Sequence, residues 1–364
     1  MKQKKIIIFM PSIEGGGVEK NLFLISNFLS SKFKKIKLIT SSNNTQKISK
    51  KISVTNNRLF NFFENRSLKI FFSSILLFFE LLKNKDAIVL SFQANLYAIL
   101  IAKLFKIKII IRLNSSPSGW ITQSWKKLLF KKIYLLSDLV IVNSNEFKKE
   151  LWNRLKVKSC CIYNPLNKSF IIRKSKYKIK NNPFRIKGAL KIINIGRLVD
   201  QKDHLTLLKA ICLLKRILKV ELIIIGNGQN EIKLKNFIKK NGLIKNVKIL
   251  DFKENPFPFI KLSELFILSS RYEGLPNVLL EAITLKKFII SSDCPTGPKE
   301  ILDNGKKGML FKVGSEKDLK KKIITYSKNK NKFKNKTQQA FKSLDRYNFK
   351  INLNKYYFQI LKLF

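Results

Sequence analysis

Negative charge is what this chain has least of. Its 364 residues include 23 acidic side chains against 73 basic ones, a net charge of +50, and a single histidine, His204. The four cysteines, Cys160, Cys161, Cys212 and Cys294, contain no CxxC pair and join no Cys/His cluster. That argues against a zinc site and leaves reduced, mostly buried thiols in a cytoplasmic protein as the simpler reading. No apolar run reaches the about 20 residues that a spanning helix needs. The strongest candidate, LKIFFSSILLFFELL (68–82), stops short and contains Glu80, so a buried or interfacial helix is expected. The apolar run behind the basic start MKQKKIIIFMPS is too short for a signal peptide. Arginine-rich and RNP-like segments are absent as well, which weakens a nucleic-acid reading of the charge.

At 45% hydrophobic and 26% charged, the chain can bury sizeable cores, and its length suits two domains. Three sources of the positive charge stay open: phosphate binding, attraction to an anionic membrane, and a compositional bias toward Lys, Asn, Ile and Phe. The charge is uneven. Residues 1–190 hold 37 basic and 8 acidic side chains, and residues 191–364 hold 36 and 15, so the first half is the better candidate to meet an anionic surface.

The chain opens with a fully apolar run, a Gly-rich turn and an apolar stripe at helical spacing, which predicts strand, loop, helix. Runs at 36–40, 87–92, 107–113, 138–144 and 159–165 continue the alternation. Residues 166–188 break it with a polar, basic, irregular stretch. It restarts at 190–198, 220–228, 247–252, 265–270, 287–293 and 308–313, followed by the lysine-rich stretch 312–342 and a final amphipathic segment. Continuous apolar strands alternating with helices predict parallel sheets covered on both faces. The expected organisation is a first Rossmann-like domain over 1–170, a linker over 171–188 and a second such domain over 189–344. A C-terminal helix at about 345–364 is expected to pack back on the first domain. Ligands are expected at the carboxyl ends of the strands, facing a central cleft.

Two stretches carry chemistry. In GRLVDQK (196–202), Arg197 and Lys202 follow a strand within one loop. A forked donor and a mobile point charge suit a diphosphate, although a solvated basic loop would read the same. In RYEGLPNVLLEA (271–282), a strand is expected to turn into a helix whose first turn near Pro276, Asn277 and Val278 favours phosphate. Glu273 and Glu281 stand eight positions apart, Glu273 expected just before the helix and Glu281 about two turns along it. Helical geometry would put them within about 80° of each other and at most about 12 Å apart, near the length of a sugar–diphosphate–ribose unit. Carboxylates accept hydrogen bonds from sugar hydroxyls. A helix cap and a surface charge would account for two glutamates alone, and Arg197 and Lys202 favour the binding reading.

Over nearly its whole length the chain resembles the retaining glycosyltransferases of the GT-B fold, in the large group often called family 4. The resemblance rests on E-x7-E (Glu273 and Glu281), on GRLVDQK, on the glycine-rich turn EGGGVEK (14–20), and on the later blocks GNGQNEIKL (226–234) and SSDCPTGPKEILDNGKKGMLF (291–311). It implies an α/β fold of two Rossmann-like parallel-sheet domains and transfer of a hexosyl or N-acetylhexosaminyl group. The donor would be a nucleotide-sugar, a UDP-sugar by preference. The acceptor would be a glycan or lipid-linked molecule in the synthesis of polysaccharide, lipopolysaccharide or another glycoconjugate. Arg197 and Lys202 would hold the diphosphate, Glu281 the ribose and Glu273 the donor sugar. Gly274, Leu275, Pro276 and Asn277 would line the sugar and phosphates, Phe252 and Lys253 the base, and the Gly15–Gly17 turn, with Gly16 and Gly17, would approach the donor. Arg112 and Asn114 stand where many relatives carry an acceptor-side His or Asp, which puts a His-dependent mechanism in doubt. His204 is read as structural. No D-x-D motif is present, so no metal or other cofactor is expected, and the Arg197/Lys202 pair would supply the charge. A GT-B-fold nucleotide-sugar epimerase and a basic nucleic-acid-binding protein are the alternatives, although no nucleic-acid partner is expected. The expected location is the cytoplasm, with the inner face of the plasma membrane as a candidate surface.

Overall fold

The computed structural model describes residues 5–56, 65–119, 121 and 123–364. The basic start 1–4, and Trp120 of the stretch 111–120, lie outside them. The chain divides into two compact units, Met1–Pro165 with Phe349–Phe364, and Leu166–Asn348.

In the first unit the order is β1 (Lys5–Phe9), α1 (Gly17–Leu29), β2 (Lys35–Ile39), β3 (Ile52–Thr55), α2 (Arg66–Leu82), β4 (Ala87–Ser91), α3 (Asn95–Leu104), β5 (Lys108–Arg112), α4 (Ser124–Leu135), β6 (Leu139–Val142), α5 (Asn145–Leu155) and β7 (Cys160–Cys161). The strands pair in parallel in the order β3-β2-β1-β4-β5-β6-β7. The central strands are runs of Ile, Val and Leu buried on both faces, as a doubly covered parallel sheet requires. One face packs against Leu77 and Leu81 of α2, Ala98 and Ala102 of α3, Ile133 of α4 and Leu151 of α5. The other packs against Leu22 and Ile25 of α1. Cys161 joins the first cluster and Cys160 the second, so these neighbours point to opposite faces, as strand geometry demands.

The second unit runs α6 (Lys168–Lys174), β8 (Leu190–Ile195), α7 (His204–Leu214), β9 (Val220–Ile225), α8 (Glu231–Lys240), β10 (Val247–Leu250), α9 (Phe257–Leu262), β11 (Leu265–Leu268), α10 (Asn277–Thr284), β12 (Phe288–Ser292), α11 (Pro298–Ile301), β13 (Met309–Phe311), α12 (Glu316–Lys328) and α13 (Lys334–Lys342). Its parallel order is β10-β9-β8-β11-β12-β13. The last helix, α14 (Phe349–Leu361), belongs to the first unit, where Leu353, Tyr356 and Ile360 enter the cluster under α1. Both crossings of the chain lie side by side, since the Leu166 N–H donates to the Tyr347 carbonyl at 2.9 Å.

Three sequence expectations shift. The edge strand β3 was not foreseen, because four residues reading ISVT give too short a pattern to stand out from a loop. The stretch 171–188, expected as a linker, lies wholly within the second unit and begins inside α6, anchored by buried Ile171. The final helix starts at Phe349 rather than about 345, because Ser343–Tyr347 forms a 3-10 turn that buries Leu344 and Tyr347 in the second unit.

Candidate functional site

In the second sheet β8 lies between β9 and β11, and the strand order reverses there. All six strands are parallel, so the loops after β8 and β11 emerge on the same side, at the switch point where open α/β sheets bind ligands. The two loops are stitched together. Lys202 Nζ donates to Glu273 Oε1 at 2.5 Å, with side chains 15% and 8% exposed. Gln201 Nε2 donates to the Tyr272 carbonyl at 2.9 Å, the Arg271 N–H to the Gln201 carbonyl at 2.8 Å, and Ser269 Oγ to the Lys202 carbonyl at 2.8 Å. Ser270 Oγ gives Glu273 Oε1 a second donor at 2.6 Å. Few carboxylates exist in this protein, and this one is buried, charge-paired and held on both flanks.

The backbone around the pair is set by glycines. A Cβ on Gly226, in the loop after β9, would sit 2.0 Å from the Gly196 carbonyl oxygen, so the loop after β9 closes on the loop carrying Arg197 only without a side chain. Gly297 has φ of +70°, and a Cβ there would sit 2.0 Å from the Gly274 carbonyl oxygen. Beside it Thr296 Oγ1 donates to the Glu273 carbonyl at 2.7 Å. The CPTGP segment thus clamps the EGLP turn from behind. Ser269, Ser270 and Thr296 were not singled out by sequence reasoning, since serine and threonine are common and only the folded loops give them a partner.

The turn corrects the geometry expected for the two glutamates. Glu273 lies before the helix, as the sequence suggests, but Pro276 is extended, with ψ of 105°, and α10 begins only at Asn277. Glu281 is its fifth residue, a little over one turn in rather than two. The helical angle of about 80° between them therefore does not apply. Glu281 is buried, at 5% exposure. No side chain caps α10. Gly274 through Asn277 form the chain between the two carboxylates.

Arg197 is exposed and pairs with no carboxylate among the described residues. Phe252 is half exposed, its N–H donating to Asn227 Oδ1 at 2.6 Å, and Lys253 is half-buried in the same loop after β10. Arg197, Lys202, Phe252, Lys253, Glu273 and the 274–277 turn thus all lie at the carboxyl ends of one sheet. His204 is buried as the first residue of α7, with neither ring nitrogen hydrogen-bonded. Burial, with Lys202 nearby, pushes its pKa down to about 4, so it is a neutral ring packed beneath the loop. Asp203 caps the same helix through Thr206 and pairs with Arg271 Nε at 3.3 Å.

Gly16 and Gly17 belong to the first unit. They open α1, where Glu19 Oε2 accepts the Gly16 N–H at 2.9 Å. The acceptor-side expectation for Arg112 fails on burial. Its side chain is fully buried, and its guanidinium donates to Tyr356 Oη at 2.9 Å, to Asn164 Oδ1 at 2.6 Å and to Asn114 Oδ1. Arg112 locks α14 to the end of β5 and has no surface for an acceptor. Asn114 is half-buried and spends its amide on the Phe92 carbonyl at 2.7 Å. Among the described residues no three His, Cys, Asp or Glu side chains gather as a metal ion would need.

Residues 175–343 match the family model described as Glycosyl transferases group 1. An uncharacterised glycosyltransferase of Methanocaldococcus jannaschii is 35% identical over 56% of this chain and 53% of its own length. The N-acetylgalactosamine-N,N'-diacetylbacillosaminyl-diphospho-undecaprenol 4-alpha-N-acetylgalactosaminyltransferase of Campylobacter jejuni is 28% identical over 69% of this chain and 70% of its own. The match thus spans about half of the first relative's length. The solved structure of Anabaena HepE with UDP and glucose superposes with a TM-score of 0.80, covering 99% of this chain and 100% of that one at 16% identity. The fold is GT-B, and residues 175–343 are similar to the group 1 glycosyl transferases.

Proposed function

We propose that the protein is a retaining, family 4 type glycosyltransferase that moves a hexosyl or N-acetylhexosaminyl group from a UDP-sugar to a glycan or lipid-linked acceptor. The observation that carries this is the Lys202–Glu273 pair, its carboxylate buried and its lysine partly accessible, at the switch point of the second sheet. It joins a cation suited to phosphate and a carboxylate suited to sugar hydroxyls in one rigid place, inside the matched domain. The family match and the UDP named with HepE support the donor class. The diphospho-undecaprenol in the Campylobacter relative's name supports a lipid-linked acceptor.

In this reading Arg197 and Lys202 hold the diphosphate and stabilise the charge that grows on it as the glycosidic bond breaks. They do electrostatically what a metal does elsewhere, so the reaction needs no metal. Lys202 shares its protons between Glu273 and the phosphates. Glu273, freed in part, accepts a donor-sugar hydroxyl, and Glu281 accepts from the ribose. Backbone groups of 274–277 line the sugar and phosphates, with Pro276 contributing no donor. Phe252 offers a half-exposed ring to the base, beside Lys253. Retention follows if the leaving phosphate takes the acceptor's proton on the face it departs from, which leaves the protein the task of positioning and charge stabilisation.

Calorimetric titration of UDP, GDP and ADP at moderate salt tests the site. Selective UDP binding is expected, weakened about a hundredfold by Lys202→Ala, a loss of about 3 kcal/mol for a charge-assisted phosphate contact. Equal, weak, salt-sensitive binding of every polyanion, indifferent to Lys202→Ala, would sink the proposal in favour of non-specific charge.

A further inference from the structure

Three crossover helices cover one face of the first sheet, with α2 packed on α3 and α3 on α4. Each buries one side against the sheet and shows a second apolar stripe outward. On α2 the stripe is Phe71, Ile75, Phe79 and Leu82, at 58%, 37%, 56% and 44% exposure. Tyr97, Leu100 and Leu104 repeat it on α3, and Trp125, Leu128 and Leu129 on α4. Positions three and four apart lie on one side of a helix, so each helix carries an apolar stripe, and the three stripes lie on neighbouring helices. A water-facing surface does not explain so many large side chains on adjacent helices.

Charge identifies what covers this face. The three helices carry seven basic residues and one acid. That acid, Glu80, is 12% exposed and bridged by Lys5 and Lys37 at 2.9 Å each. Burial opposes its charge, but the hydrogen bonds from Lys37 and Lys5 outweigh it and hold its carboxyl below the usual range. On α4 Lys126, Lys127, Lys131 and Lys132 flank the apolar residues with no acid among them. A second copy of this chain would oppose lysine to lysine across the face. An anionic lipid surface answers both features at once, taking the apolar stripes between its headgroups and pairing the lysines with phosphates. No helix among the described residues is long and apolar enough to cross a membrane, which fits a helix face lying along a bilayer.

We propose that the outer face of α2, α3 and α4 docks the protein on an anionic lipid bilayer, with Trp125 and its apolar neighbours inserted and the α4 lysines on the headgroups. The proposal stands independently of the reaction assigned to the second unit.

Flotation of the full chain with vesicles of phosphatidylcholine, alone or mixed with phosphatidylglycerol, tests it. Binding to the mixed vesicles alone is expected, with a blue shift of tryptophan emission that Trp125→Phe abolishes while still floating. Trp125→Ala/Leu128→Ala/Phe79→Ala is expected to reduce the bound fraction at least tenfold. Lys127→Glu/Lys132→Glu is expected to reduce affinity about fivefold per lysine. Lys317→Glu/Lys321→Glu, the same charge change in the second unit, is expected to leave binding unchanged. The substituted side chains are exposed, and circular dichroism melting checks that each variant folds. The proposal falls if the full chain ignores anionic vesicles, if the control reversal in the second unit weakens binding as much as the reversal on α4, or if the apolar variant floats as well as wild type. A concentration-dependent dimer abolished by the apolar variant would overturn it in favour of a second copy.

Discussion

The two units repeat one architecture and treat charge in opposite ways. Each is a parallel sheet with its order reversing at the first strand, and each places a cation at or beyond the carboxyl end of a central strand. In the first unit the cation is Arg112, fully buried and held by three neutral groups, Tyr356, Asn114 and Asn164. In the second it is Lys202, partly accessible and paired with Glu273. A buried guanidinium satisfied by neutral acceptors has no exchangeable partner, so it serves the fold. An ion pair at a loop junction can trade its anion for another, so it can serve a ligand. The comparison shows that a charge at the carboxyl end of a sheet is not by itself a site, and that its present partner and its exposure decide.

The largest effect should come from breaking the structural side. Arg112→Ala leaves a cavity and three acceptors without their donor, and is expected to destabilise the first unit by about 4 kcal/mol. Chemical denaturation followed by UDP titration should find lowered stability with the second unit's binding intact, and a lost binding with stability unchanged would reverse the roles assigned to the two cations. On the ligand side, Glu273→Gln should do the converse. Removing the internal anion frees Lys202 for phosphate, so UDP is expected to bind at least as tightly while sugar transfer falls about a hundredfold, roughly 3 kcal/mol of transition-state stabilisation. Equal loss of both would mean that Glu273 only braces the loop.

His204 sharpens the contrast through pH. Its folded pKa of about 4 lies below the ordinary 6.5, so as pH falls the unfolded chain takes up the proton first. The stability it confers is full above about pH 6.5 and is lost as pH falls toward 4. Between about pH 7 and 5 this amounts to about 2 kcal/mol. Urea melts at both pH values should show that slope flattened in His204→Leu. The smallest effect is expected at Lys168–Asp345, an ion pair at 2.8 Å whose aspartate is 80% exposed. Asp345→Asn should leave the melting temperature unchanged, because solvent screens such pairs, and a shift of several degrees would show that the crossing between units depends on it.

Much of this molecule was legible before folding. Runs such as IIIF and ELIII mark strands buried on both faces, because an apolar run of that length flanked by turn residues has few other places to go. GRLVDQK and EGLPNVLLEA were legible because a protein so short of acid does not place Glu273 and Glu281 in an apolar frame by chance. Edge strand β3 was not legible, being four residues of mixed polarity. Nor was the residue at which the helix begins, which leaves Glu281 about one turn in rather than two. Pro276 can start a helix or precede one, and the backing of Gly274 by Gly297, about twenty residues away in sequence, is what fixes the turn.

Sequence by itself determined the class of fold and the candidate residues of the second unit, because hydrophobic period and local motif act over a few neighbouring positions. Tertiary structure alone decided which charges are available. Arg112 closes β5 and Lys202 follows β8 in its loop, and the basic side chain alone does not say which is available. The difference lies in Tyr356, 244 positions away, and in Glu273, 71 positions away. Partners so distant are chosen by the packing of the whole chain, and with them the line between a charge that holds the fold and one that can hold a ligand.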